Sequence, residues 1–409
     1  SEICGRGNLI ASDFFVLAKV RLIQPEMFAD GIKKILINRH IEAIKVHTVD
    51  LIKKSHEIAI KKIEDFDTYD FDATILKTSL KDGVWEPETI IRIADIVFEN
   101  ELKNLMVNTN YILKVNPELK ASQRYTAINF SISDTSKPYP NKQILRHQEI
   151  YDSGSVINSL RKPLENGDIF TIGNSRYILV AQACDMAVRK KGDRIGLRNA
   201  KSATLLKINT ITNDELKRKV KDSEHYYSNK YLLNYFDSKT AEKGIVDFTD
   251  YLIIDIDFLD LCVFNEDGDC KINPNKLESK TYLSNIWENR YDILIDRIKE
   301  YQTKIEHVRR HLHLKSNTKK HKRILRKTIG GINHIFIERE FYPKLILASS
   351  LPVDNPVSVD SQWTFSFSAK RIAKYKNHGA TYLLERYTRH LSRIAEPHDF
   401  AVPRRRGSL

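Results

Sequence analysis

The sequence predicts an α/β chain of the α+β kind, with helical regions flanking a β-rich middle. Three observations predict it. Apolar residues recur at helical spacing up to about residue 120 and again from about residue 277. Between those limits they gather in short runs separated by Gly, Asn and Asp. The 409 residues also exceed one ordinary core, which holds roughly 100–200 residues. With only 15 Gly and 12 Pro, the chain is expected to be packed throughout, without long linkers. The expected regions are 1–120, helical; 121–276, a small, mainly antiparallel sheet or barrel; and 277–409, a coiled-coil-like helical arm with a helical C-terminal region.

Pro25 suits a first helical position. Beyond it Ile41, Ile44, Val49, Ile52, Ile58 and Ile63 are expected to face inward, with Lys53, Lys54, Lys61 and Lys62 outside. The acidic, aromatic stretch 65–72 ends that helix. A loop through Gly83 and Trp85 precedes a second helix, residues 87–106, with Ile90, Ile93, Ile96 and Val97 inward and Trp85 packed on its apolar face. Residues 124–132 have strand-like composition. The clearest strand signal is a hairpin: Asp168 to Ile172, a Gly173–Asn174–Ser175 turn, then Tyr177 to Val180. Further strands are expected at 203–208, 251–256 and 261–264, with a turn at 265–268 leading into Cys270–Lys271–Ile272.

Trp287, Tyr291, Leu294, Ile298, Tyr301, Ile305, Val308 and Leu312 are spaced alternately four and three apart. Such a seam predicts a coiled-coil-like helix, which needs a cover in water, either a second copy of the chain or another helix of its own. A short basic helix at 319–328, a strand at 332–337 and helices at 368–376 and 380–394 complete the expectation.

The four cysteines, Cys4, Cys184, Cys262 and Cys270, form no CxxC pair and fit no zinc spacing. So few in so long a chain point to a reduced, cytoplasmic protein. No apolar run is long enough to span a membrane, and the first thirteen residues lack the pattern of a signal peptide. The net charge is +13, which favours phosphate-bearing partners. Arg309, Arg310, Lys315, Lys319, Lys320, Lys322, Arg323, Arg326 and Lys327 supply nine positive charges in a stretch with no acid, the candidate polyanion-binding arm.

Catalytic candidates are sparse. Asp255 and Asp257 would point to one side of a strand, with Asp260 nearby, and paired carboxylates can hold a divalent cation. An exposed strand face is the plainer reading. Cys184, beside Asp185 with Arg189 and Arg194 close by, is either a buried structural cysteine or a thiol of lowered pKa. His307 and His311 share a helical face, but neighbouring cations oppose a metal there. No resident metal or cofactor is expected, and no phosphate loop, dinucleotide fingerprint, HExxH or GxSxG occurs.

Residues 79–89 with Arg92, residues 158–185 and the stretch from Arg371 to Asp399 resemble a group of poorly characterised bacterial response-regulator-like proteins. In that group a receiver domain precedes a helical region and a strand segment similar to the one ending Gln182–Ala183–Cys184–Asp185. Residues 1–24 are too short for a receiver. The resemblance implies a regulatory or output component of a stress-signalling or phage-defence system, with a histidine-kinase-like ATPase as protein partner, and it defines no catalytic residues. Gly167–Asp168–Ile169–Phe170 is also similar to the first strand of PemK-like endoribonuclease toxins. The alternatives to the regulatory reading are therefore a nuclease, metal-dependent or PemK-like, using the β-rich middle, and a sequence-nonspecific nucleic-acid-binding protein.

Overall fold

The computed structural model describes residues 25–77, 81–126, 140–192, 194–222, 229–237, 242–276, 280–313, 357–359 and 363–392. These form two compact units. One is helical, within 1–79 and 86–139; the other holds 80–85 and everything from 140 onward.

The helical unit contains α1 (Pro25–Glu64), α2 (Thr68–Phe71) running into a π-helical turn (Asp72–Lys77), α3 (Glu86–Asn108) and α4 (Tyr111–Thr126). Helix α1 packs on both α3 and α4. Its buried positions among the described residues are Gly31, Leu51, Ser55 and Ala59, and the three small residues permit close helix approach. Polar pins fix the pairs. Thr48 and Tyr111 share a hydroxyl bond of 2.8 Å, Lys62 reaches Glu101, and His40 meets Glu118. The expected inward faces need correction. Ile41, Val49 and Ile52 of α1 and Ile90 and Ile96 of α3 are exposed. The inward stripe of α3 is Thr89, Ile93, Val97 and Glu101, every fourth residue, with polar ends that apolar periodicity does not register. Residues 124–126 close α4 as helix rather than opening a strand, and 127–132 lie outside the described residues.

The second unit is a fully antiparallel sheet with helices on both faces. Helix α5 (Pro140–Ile150) leads into β1 (Tyr151–Ser153) and α6 (Gly154–Ser159). The expected hairpin is β2 (Asp168–Ile172) and β3 (Ser175–Val180). After α7 (Ala183–Met186) comes a separate two-stranded ribbon, β4 (Arg189–Lys191) and β5 (Arg194–Leu197). Then come β6 (Ser202–Ile211), α8 (Asn213–Asp222), β7 (Lys230–Leu233), β8 (Lys243–Asp255), α9 (Ile256–Asp260), β9 (Asp269–Ile272), α10 (Asn285–His313), β10 (Val357–Val359), β11 (Phe365–Tyr375) and α11 (Asn377–Leu391). The sheet order is β1-β11-β2-β3-β6-β8-β7, with β9 and β10 also paired to β11.

Three expectations in this unit are overturned. Residues 261–264 form a 3-10 turn rather than a strand. All four are buried, so no period distinguishes strand from helix there. Strand β9 follows its turn as expected but pairs with β11. Residues 368–376 lie mostly in the long strand β11 rather than in a helix. Ala, Lys and Arg favour a helix, but Phe365, Phe367, Ala369 and Arg371 are buried at every second position, and strand pairing on both edges overrides propensity.

Alternation sorts the sheet's apolar residues into two cores. Phe170, Ile172, Leu179 and Leu205 face α10, whose Trp287, Tyr291, Leu294, Ile295 and Ile298 are buried with them. Ile169, Ile178, Val180, Leu206 and Val246 face α11, through Ala380, Leu383 and Tyr387. A sheet covered on both faces explains why its strands read as continuous apolar runs. The heptad seam from Trp287 to Ile298 is thus covered within this chain, by the sheet together with α9 and the 3-10 turn at 261–264, whose Phe264 ring meets Trp287 and Tyr291.

The loop at 80–85 groups with this unit, and Trp85 is half-buried. Gly83 has φ +72°, and a Cβ there would lie 2.6 Å from the Val188 carbonyl oxygen, so glycine is required at that approach.

Candidate functional site

The carboxylates singled out by sequence sit where β8 gives way to α9. Asp255 is the N-cap of α9, accepting the Asp257 N–H at 2.8 Å. Asp257 therefore lies on a helical turn, which corrects the expectation that both point to one side of a strand. Burial, then the neighbouring Asp257, raises the Asp255 carboxyl well above its usual range.

Three arginines close on the other two acids. Arg290, from α10, donates Nε and Nη2 to Asp260 at 3.0 and 2.9 Å and Nη2 to Asp257. Arg198 donates Nη1 to the other Asp260 oxygen at 2.8 Å, and Arg297 donates to Asp257. Asp260 is fully buried, as is nearly all of Arg198. Burial pulls Arg290 down, but Asp260 and Asp257 outweigh it and hold its pKa above the usual value. Both acids are thereby neutralised, and the described residues hold no cluster of three metal-ligating side chains. What this arrangement does is pin α9 and α10 to the end of the sheet. Arg290 and Arg297 both come from α10 and Arg198 from the segment after β5, all at least 30 positions from the acids they pair with, so no local spacing announced the pairs.

Cys184 is exposed in α7, which corrects the expectation of a buried cysteine. The Arg189 guanidinium donates to its carbonyl oxygen, not to its thiol. Buried instead are the free thiols Cys262 and Cys270, which share a hydrogen bond; burial, then Cys262, pushes the Cys270 thiol up. Of the basic arm, Arg309 and Arg310 fall in the last turns of α10, whose side chains lie outside the described residues, as do 314–356 entirely.

Two features were not anticipated. The β4–β5 ribbon carries Arg189, Lys190, Lys191 and Arg194, the last three exposed, and its Gly192 has nothing within 4 Å of a would-be Cβ. A groove of about 620 Å³ opens between α5, the end of β7 and the start of α11, lined among others by Arg146, Tyr231, Tyr235, Tyr375, Lys376 and His378. The Tyr231 and Tyr375 hydroxyls lie 3.1 Å apart. Burial, then the bond to Tyr375, pushes the Tyr231 hydroxyl up. His147 Nδ1 lies 2.8 Å from the Tyr235 carbonyl oxygen, while the Lys376 ammonium donates to the Gln148 carbonyl at 2.6 Å. Apart from neighbours such as Tyr231 and Tyr235, these residues are far apart in sequence, so only the fold brings them together. Among the described residues no helix is long and apolar enough to cross a membrane. Compared with protein-family models, with curated proteins and with solved structures, the chain matches none.

Proposed function

We propose that this chain is a regulatory or output component of a bacterial signalling or defence system that works by contact rather than by catalysis. One observation carries the reading: of the clustered carboxylates, Asp257 and Asp260 are each shared between two arginines, and Asp255 caps α9, so all three serve as structural anchors. A carboxylate shared between arginines is charge-compensated and fixed by them, which opposes its use as a metal ligand or general base. The resemblance to response-regulator-like proteins supplies the system and the partner class, a histidine-kinase-like ATPase. The test is cleavage of RNA and DNA with Mg²⁺ or Mn²⁺ by the full chain and by Asp257→Asn. The expected result is no cleavage by either protein and a lower melting temperature for the variant. Cleavage lost in Asp257→Asn at an unchanged melting temperature overturns the reading in favour of a nuclease.

A second reading, sequence-nonspecific nucleic-acid contact, draws support from the β4–β5 ribbon. Lys190, Lys191 and Arg194 stand exposed on a hairpin whose β5 strand packs on α10, where side chains can meet a phosphate backbone, Lys191 by giving up its bond to Asn199. Changing all three to Gln should flatten the salt dependence of binding to duplex DNA. An unchanged slope places the contact elsewhere.

A further inference from the structure

We infer that the groove between α5, the end of β7 and the start of α11 binds a nucleoside monophosphate. Its walls carry two chemistries at once. Tyr231, Tyr235 and Tyr375 present phenol rings. Arg146, Lys376 and His378 present cationic or protonatable groups, against one lining acid, Glu149. Lys376 is held by Asp152 at 3.4 Å and by the Gln148 carbonyl, so the anion is met chiefly by Arg146 and His378, while the rings suit a flat ring better than a bare inorganic anion. A flat ring carrying a phosphate uses both, through stacking and charge-assisted hydrogen bonds. The volume of about 620 Å³ falls within the range of roughly 300–1,000 Å³ for small-molecule sites.

The groove also holds donors in excess. Tyr231 and Tyr375 share a single hydrogen bond, so one of their two hydroxyl hydrogens has no acceptor among the described residues. Tyr375 is nearly buried, and its ring lies against the first turn of α11, where a Cβ at residue 379 would fall 2.3 Å from its Cζ. Glycine at 379 therefore seats that ring in the groove wall. Lys376, in the capping position of α11, gives no side-chain acceptor to the first backbone N–H groups of the helix. Arg146 is paired only with exposed Glu149, at 2.6 Å, and such a pair opens at little cost. His378 is exposed, without a hydrogen bond or ion pair among the described residues.

The test is equilibrium binding of the full chain to AMP, GMP, CMP and UMP, beside the matching nucleosides and inorganic phosphate. At least one monophosphate should bind about tenfold tighter than its nucleoside and than phosphate. The double variant Arg146→Gln with His378→Ala changes two exposed side chains, so its melting temperature should hold while affinity falls about tenfold. Tyr231→Phe, which keeps the ring and removes one hydroxyl, should weaken binding to a lesser degree. Three results overturn the inference: no saturable binding of any monophosphate up to about 5 mM, inorganic phosphate bound as tightly as the monophosphates, or affinity unmoved by the double variant. None of these bears on the nucleic-acid cleavage test, so this site and the regulatory reading fail separately.

Discussion

At the scale of single residues, the sheet is keyed by a buried ion pair. Arg371 of β11 donates to Asp168 of β2 at 2.7 Å, and neither side chain has exposed surface. The same guanidinium donates to the Lys162 and Pro163 carbonyls, and Asn158 donates to the Arg371 carbonyl. Removing the arginine strands a carboxylate and two carbonyls together. Arg371→Met should therefore cost about 3–5 kcal/mol in denaturant unfolding. Burial pushes the Asp168 carboxyl up to about 6 from an ordinary 3.8, with Arg371 opposing. Between those values the folded chain holds a proton that the unfolded chain has released. Stability from this group is therefore full below about pH 4 and is lost as pH rises through 6, by about 3 kcal/mol. Asp168→Asn should flatten that slope, and an unchanged pH profile would show that another group sets it. The sequence marks Asp168 as the start of a strand, but Arg371 lies 203 positions away. Pairing at that distance is set by register, which no local pattern encodes.

At the scale of elements, α10 shows what periodicity reveals and what it conceals. The heptad spacing correctly marks Trp287, Tyr291, Leu294 and Ile298 as one buried seam. It does not say what lies opposite, because a sheet face and a second helix both accept an apolar stripe. Leu294→Ala should cost about 2–5 kcal/mol. Ile298→Asp should lower the melting temperature sharply while leaving the mass in solution unchanged, checked by light scattering. A variant that halves in mass would instead point to an oligomer held by this helix. Strands β2, β3, β6 and β8 were legible because their apolar runs are short and bounded by turn residues. Strand β11 was not, since its Ala, Lys and Arg carry a helical preference that only pairing overrides. The candidate site divides likewise. Asp255, Asp257 and Asp260 stood out by proximity in sequence, whereas their arginine partners and the tyrosine-lined groove are assembled from remote segments.

At the scale of the whole molecule, charge is unevenly placed. Nine of the basic residues lie within 309–327, which has no acid, so the rest of the chain carries about +4 of the +13. If that arm and the β4–β5 ribbon both touch duplex DNA, affinity should fall with salt at a log–log slope of about −0.9 per phosphate engaged. Substituting Lys319, Lys320, Lys322 and Arg323 by Gln should then flatten the slope independently of changes at Lys190, Lys191 and Arg194. Titration of both variants and their combination against salt measures this, and a combined effect no larger than either alone would mean a single shared contact. The place of β11 in the sheet has a further bearing, on the order in which the protein is made. Strands β1, β2, β9 and β10 all pair with β11, which follows every one of them in the chain. During synthesis at about 5–20 residues per second, one edge of β2 waits roughly 10–40 s for its neighbour. A nascent chain thus spends that interval with an open hydrogen-bonding edge, the condition under which strands recruit foreign partners. Ribosome-released chains ending ahead of Phe365 should sediment as aggregates, while chains continued past α11 stay in solution, so the arrival of β11 decides whether the first strands of the sheet are ever protected.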